Sequence, residues 1–248
     1  MNTMNTRETI YAYAVKYQGD WTRIGQALRD KESVSPPPES PIPYVTLVDP
    51  DYPDCFRSLR YPPWILFFRG DLSLASRDCA GIIGSRRCTS QALENTKTVT
   101  EGLMDRYVIV SGLARGIDAA AHETALKAHT IGIIGCGLDR VYPKENAPLY
   151  KAMGQSHLLL SEYPPATPPL AKHFPWRNRL IAACCKFVVI PEAEIRSGTM
   201  HTVNACLELS KTVYCLPSPF GQTHHSGGSW LISQGAQILF ETAQLKEL

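Results

Sequence analysis

The chain has 248 residues, of which 44% are hydrophobic and 19% charged; this suits one sizeable α/β domain with a small appendage and excludes global disorder. Its 25 basic and 23 acidic residues leave a net charge of +2, so affinity for a polyanion must come from clustered cations and not from the field of the whole molecule. Eight cysteines at positions 55, 79, 88, 136, 184, 185, 206 and 215 include no CxxC pair, and the N-terminus has no long apolar run; reduced structural thiols and a soluble, cytoplasmic protein without a membrane span are expected.

In chain order, the N-terminal region 1–32 carries apolar side chains at helical intervals (Ile10, Ala14, Tyr17, then Trp21, Ile24, Leu28) interrupted at Gly19-Asp20, which predicts a short helix pair. Residues 33–43, SVSPPPESPIP, lack the backbone donors of a ladder and read as a semi-rigid linker. From 44 to 248 the pattern becomes regular. After the opening segment YVTLVDPDYPDCFRSLRYPPWILFFRG, short β-type runs (CAGIIG, YVIV, TIGIIG, HLLL, FVVI, TVYCL, QIL) alternate with helix-length stretches, such as Thr89 to Met104 with Ala92, Thr96, Val99 and Leu103 on one face. Apolar runs separated by helices predict an α/β domain built on a doubly wound, mainly parallel, Rossmann-like sheet covered on both faces.

In such a sheet, ligands bind beyond the carboxyl ends of the strands. The segments there are Gly84-Ser85-Arg86-Arg87, SGLARGID (Ser111 to Asp118, with Gly112, Arg115 and Gly116), GCGLDRVYPKEN (135–146, with Arg140, Lys144 and Asn146), SEYPP, PEAEIRSGT (191–199, ending Ser197-Gly198-Thr199) and HFPWRNR (173–179, with Arg177, Asn178 and Arg179). All but SEYPP carry a cation. The small residues beside them let backbone approach an anion, and helices that start after such turns offer free N–H groups. Tyr142, Tyr150, Tyr163, Phe174 and Trp176 are interleaved with them and could stack on unpaired bases, which points to single strands over duplex grooves. Blander readings stand beside this one: Arg140 and Arg196 can pair with Asp139 and Glu194, Asp118 can complement a helix dipole, and the aromatics can be packing residues. The seven histidines show no metal-ligand spacing, and no GxSxG elbow surrounds Ser85, Ser111 or Ser197; neither metal, cofactor nor catalytic residue is expected.

The order and spacing of GSR (84–86), SGLARGIDAAAH (111–122), GCGLDRVYPKEN (135–146), LLSEYPPATPP (159–169), FPWRNRLIA (174–182) and RSGTMHT (196–202) resemble the DprA/Smf family, from about Tyr44 to Leu239. The resemblance implies a cytoplasmic homodimer that binds and protects single-stranded DNA during natural transformation and helps load the RecA recombinase, without turnover. It makes Arg86 and Lys144 the principal phosphate contacts, gives Arg115, Arg177 and Arg179 the role of further cations or pocket-shaping groups, and leaves Asn146 and Asn178 to hold loops; Tyr150 is the ring expected to stack on a base. Three departures accompany it. The N-terminal region is shorter than the family's sterile-alpha-motif-like domain, the chain ends soon after Leu239 so that no winged-helix tail is expected, and IPEAEIRSGTMHT differs from the commoner VVEA…RSGSLIT. Two other classes remain. A nucleoside-monophosphate phosphoribohydrolase would carry PGGxGTxxE where this chain has PEAEIRSGTMHTVNA, without the glycine pair or the following glutamate. A protein-binding scaffold would show no salt-sensitive DNA retention.

Overall fold

A computed structural model describes residues 4–221 and 224–248. The helix pair forms as α1 (Thr6–Lys16) and α2 (Trp21–Asp30), each started by a side-chain cap. Asn5 accepts from the Glu8 amide while Glu8 accepts from the Asn5 amide, and Asp20 accepts from the Arg23 amide. Gly19, at φ +76°, makes the turn between the helices. Ile10, Tyr13, Ala14 and Ile24 pack with Ile65, Phe67, Leu113 and Leu149 of the sheet domain, so the pair shares a core with it. Residues 33–43 cross the surface with almost no regular structure.

The remaining elements are β1 (Tyr44–Thr46), α3 (Asp54–Arg57), β2 (Ile65–Gly70), β3 (Cys79–Ile82), α4 (Ser90–Leu103), β4 (Val108–Ser111), α5 (Ile117–Ala125), β5 (Thr130–Ile133), α6 (Ala147–Ser156), β6 (Leu158–Ser161), α7 (His173–Cys184), β7 (Phe187–Ile190), α8 (Thr199–Glu208), β8 (Thr212–Cys215), α9 (Gly227–Ser233) and β9 (Gln237–Ile238). They build one sheet in the order β1-β2-β6-β5-β4-β3-β7-β8-β9. From β6 to β9 every pairing is parallel, while β2 runs antiparallel to β6 and to β1. The doubly wound, mainly parallel sheet is therefore present, and the opening segment adds an antiparallel edge. Every residue of β3, β4, β5, β6 and β7 is buried, as required of strands covered on both faces. Helices α4 and α5 pack together over one face, α7 and α8 over the other.

The chain steps outward from β3 through β4 and β5 to β6, then returns to the opposite side of β3 with β7. The winding direction thus reverses between β3 and β7, which opens a crevice at their carboxyl ends. All eight cysteines are free thiols, six of them buried. Burial pushes Cys136 up to about 11 and Cys206 and Cys215 up to about 12, so these are inert packing groups.

One buried group makes stability pH-dependent. His122 on α5 is fully enclosed, with Nδ1 at 2.7 Å from Thr130 Oγ1, whose own proton goes to Ile109 O. Nδ1 therefore carries the imidazole proton, which leaves Nε2 as a bare, buried nitrogen. Burial pushes its pKa down to about 3. A folded-state value below the unfolded one means that the stability is complete above about pH 6.5 and drains as pH falls toward 3, by about 2 kcal/mol at pH 5. Burial of His157 and His173 acts in the same direction. Urea unfolding at pH 7.5 and 5 should show the wild type losing about 2 kcal/mol more than His122→Gln. Equal losses would mean that the ring accepts a proton in the folded state.

Candidate nucleic-acid interface

The crevice between β3 and β7 is a cleft of about 330 Å³. Its shape follows from how tightly three loops are tied. The Ser85 amide donates to Glu192 O at 2.9 Å and Ser85 O accepts from the Ile117 amide at 3.2 Å. A Cβ on Gly84 would lie 2.6 Å from Glu192 O and 2.7 Å from Ile117, and one on Gly116, at φ +72°, 2.4 Å from Ser85 O. These glycines serve close packing between loops, and the buried Ser85 is the knot. The chain leaving that knot carries Arg86 and Arg87 to the rim, where both are exposed and neither forms an ion pair among the described residues. Arg196 stands exposed across the cleft and likewise makes no ion pair, so the expected alternative of pairing with Glu194 is not realised. Ser197, Gly198 and Thr199 form the wall at the start of α8. No side chain caps this helix, the amides of Gly198 and Thr199 have no acceptor among the described residues, and a Cβ on Gly198 would meet open space. Uncapped donors beside guanidinium groups make an anion subsite.

The floor is different. Arg177, expected among the DNA cations, is 3% exposed. Its Nη1 donates to Gly112 O at 2.9 Å and to Ile133 O, and its Nε to Asn178 Oδ1 at 3.2 Å. Gly112 is required there, since a Cβ would lie 2.7 Å from the guanidinium. Buried beside it, Asp118 accepts from the Gly112 amide at 3.2 Å; burial pushes this carboxyl up, while Arg177 and the backbone amides pull it down. Arg177 therefore joins the ends of β4 and β5 from below, its Nε and Nη1 spent on these acceptors, and it meets the cleft only as a 3% exposed part of the floor. Arg179 is also withdrawn: it grips Glu162 through two bonds of 2.8 and 2.7 Å, donates to Tyr61 O and Trp176 O, and stacks 4.1 Å over Trp176. A helix packed into the core turns both side chains inward.

Several other expected residues also face inward. Ser111 is fully buried and donates to Ile82 O at 2.6 Å. Asn146 donates to Leu113 O and Ala114 O, and Asn178 to Gly198 O at 3.4 Å, so both hold backbone around the site. Tyr150 cannot stack on a base: it is 6% exposed, its hydroxyl donates to Tyr142 O at 2.9 Å, and burial pushes that hydroxyl's pKa up. Its spacing with Asn146, Leu149 and Met153, all buried, is that of an inward helical face, a signal present in the sequence. Lys144 is exposed on the turn Lys144–Asn146 but lines neither the cleft nor the recess beside it.

That recess adjoins the cleft and shares Arg86, Ala114 and Arg177 with it. It carries the rings that Tyr150 does not supply. Tyr142, 45% exposed, lies 5.4 Å from Phe174 at a 36° tilt, and the Arg86 guanidinium sits 5.9 Å from the Phe174 centroid. Arg115 lies at its edge, held among the described residues by an exposed ion pair with Glu145. Arg140 pairs with Asp139 at 3.5 Å. Cleft and recess together form a groove that starts at α8, crosses Arg86 and ends on two rings.

Comparison with known proteins places the chain in a family. The family described as DNA recombination-mediator protein A matches residues 43–248. The chain is 40% identical over 199 residues to DNA processing protein DprA of Streptococcus pneumoniae, covering 79% of this chain and 71% of that protein. It is 35% identical over 213 residues to the DprA of Bacillus subtilis, covering 84% and 72%. The X-ray structure of the S. pneumoniae protein superposes with a TM-score of 0.81 at 32% identity, over 97% of this chain and 92% of that one. DNA processing protein A of Helicobacter pylori, whose structure is described as showing a unique single-stranded DNA binding mode, superposes with a TM-score of 0.77 at 33% identity, over 84% and 97%. With its family match spanning the sheet domain and its relatives superposing over nearly the whole chain, the protein belongs to the DprA/Smf family of DNA recombination-mediator proteins.

Proposed function

We propose that this chain binds and protects single-stranded DNA in the groove from the α8 N-terminus across Arg86 to Tyr142 and Phe174, without turnover. The observation that carries this reading is the set of cations Arg86, Arg87 and Arg196, without ion pairs among the described residues, beside the uncapped start of α8, with two accessible rings at the other end. Phosphates bind the first group and bases stack on the second. The single-stranded DNA binding described for the H. pylori relative supports it. In the same reading the protein acts in the cytoplasm during natural transformation, hands the strand to RecA and works as a homodimer. The family's description as recombination mediators supports the RecA step, and exposed Ile238 and Phe240 beside the outermost strand β9 support self-association. No helix among the described residues is long and apolar enough to cross a membrane.

The test is a salt titration with single-stranded and double-stranded oligonucleotides. Tighter single-strand binding that weakens steeply with salt is expected; equal retention of both forms, or none, would overturn the assignment. Release of free base from nucleoside monophosphates would favour the phosphoribohydrolase class. Within the groove, Tyr142→Ala or Phe174→Ala should weaken oligonucleotide binding by about 1–3 kcal/mol, while Tyr150→Phe should leave it unchanged. The reverse ranking, measured by fluorescence anisotropy, would put the stacking platform on the other side of α6.

A further inference from the structure

A second cleft, of about 350 Å³, lies where the helix pair meets the sheet domain, between the α1–α2 turn, the segment after β6 and the first turn of α7. Its walls are aromatic and held in place. Trp64 stacks on Trp21 at 5.5 Å, the Arg179 guanidinium covers one face of Trp176 at 4.1 Å, and Tyr163 stacks on His173 at 3.9 Å. The Trp21 indole donates to Pro62 O at 2.6 Å and the Trp64 indole to Trp21 O at 3.0 Å. Gly19 seats the turn against the sheet domain, since a Cβ there would lie 2.9 Å from the Tyr163 ring and 3.0 Å from Glu162 O. Both parts of the chain are needed to form this cleft.

Its charged side chains are Asp20, Arg23 and Lys172, with Gln18 and Thr22 beside them. Lys172 and Arg23 are exposed at the edge and form no ion pair among the described residues; the Arg23 guanidinium rests 4.5 Å over Tyr17. Asp20 uses Oδ1 to cap α2 at 3.0 Å, and its Oδ2 has no partner among the described residues. Aromatic walls, one carboxylate and two cations in a cleft of this size match a small ligand that has a flat ring with N–H donors and an anionic group.

The geometry points to a second nucleotide-binding site: an unpaired nucleotide lays its base on the aromatic wall of Trp21 and Trp176, which Tyr61 links at 5.1 and 5.7 Å, gives an N–H to Asp20 and sets its phosphate by Lys172 and Arg23. As a continuation of the strand path this rests on the function proposed above. Phe174 and Trp176 leave the first turn of α7 about 200° apart, one lining the recess beside the first cleft and the other this one. A strand leaving the Phe174 ring has one helix to cross, about 10 Å wide. The helix pair would thus lengthen the DNA-binding path.

The experiment uses the full chain, tryptophan emission and three probes: dAMP alone, and oligonucleotides of about 6 and about 20 nucleotides, chosen to bracket one site. Wild-type emission is quenched by dAMP. Arg23→Ala/Lys172→Ala, both at exposed positions, loses most of that quench, binds the long oligonucleotide about tenfold more weakly with a salt slope lower by about 0.7, and binds the short one as the wild type does. A dAMP quench lost in the double variant with no length effect keeps the site and assigns it to free nucleotides. A quench that survives in the double variant, or none in the wild type, overturns the site. Failure of the first groove is read separately, as oligonucleotide binding that survives Arg86→Ala/Arg196→Ala.

Discussion

Arg86→Ala combined with Arg196→Ala should lower single-stranded DNA affinity by about a thousandfold and the salt slope by about 1.4. The first figure takes each charge-assisted phosphate contact as about 2 kcal/mol, and about 1.4 kcal/mol is one decade; the second takes about 0.7 per phosphate on a single strand. The fold should be untouched, because both side chains are exposed and engage no ion pair among the described residues. Anisotropy titrations at several salt concentrations measure both quantities, and unfolding curves check the fold. Lys144→Ala is the informative companion. Family resemblance ranks Lys144 with Arg86, whereas the structure sets it outside both the cleft and the recess, so its removal should change affinity by well under tenfold. If Lys144→Ala exceeded the Arg86 and Arg196 pair, the strand would run along the Lys144–Asn146 turn and the groove would be misplaced.

The contrast between Lys144 and Arg196 shows which features the sequence carries. Continuous apolar runs made β3 to β7 legible, because parallel strands buried on both faces have little choice of side chain. The crevice was legible too, since the strand ends carry glycine, serine and arginine together. Strand β2 was harder: ILFFRG follows two prolines and pairs antiparallel with β6, far along the chain, and no local pattern reports a distant partner. Side-chain direction in α7 was harder still. Of its residues, His173, Arg177, Asn178 and every position from Leu180 to Cys184 are buried, so the helix has no polar face to read, and an arginine within it looks the same whether it grips a phosphate or a carbonyl. Conversely, Tyr142 is exposed because the loop is tied down around it, through Tyr150 and Asn146, which is a consequence of packing and has no periodicity.

Arg177 separates the two roles most sharply, and replacing it should destabilise the protein by about 3–5 kcal/mol. Arg177→Met keeps the side-chain length but strands the carbonyls of Gly112 and Ile133 and leaves the Asp118 carboxyl without its buried counter-charge. Against a total stability of about 5–15 kcal/mol, that loss is large enough to populate unfolded chains. Asp118→Asn in the same background removes the uncompensated charge and should return a substantial part of the loss, so the two substitutions should be clearly non-additive in a double-mutant cycle from urea unfolding. DNA binding should fall only about as far as the folded fraction falls, because the side chain is 3% exposed and its Nε and Nη1 are committed to Asn178, Gly112 and Ile133. Arg177→Met that unfolds within about 1 kcal/mol of the wild type but no longer retains DNA would reverse this assignment, and would show that α7 shifts on binding to bring Arg177 onto a phosphate.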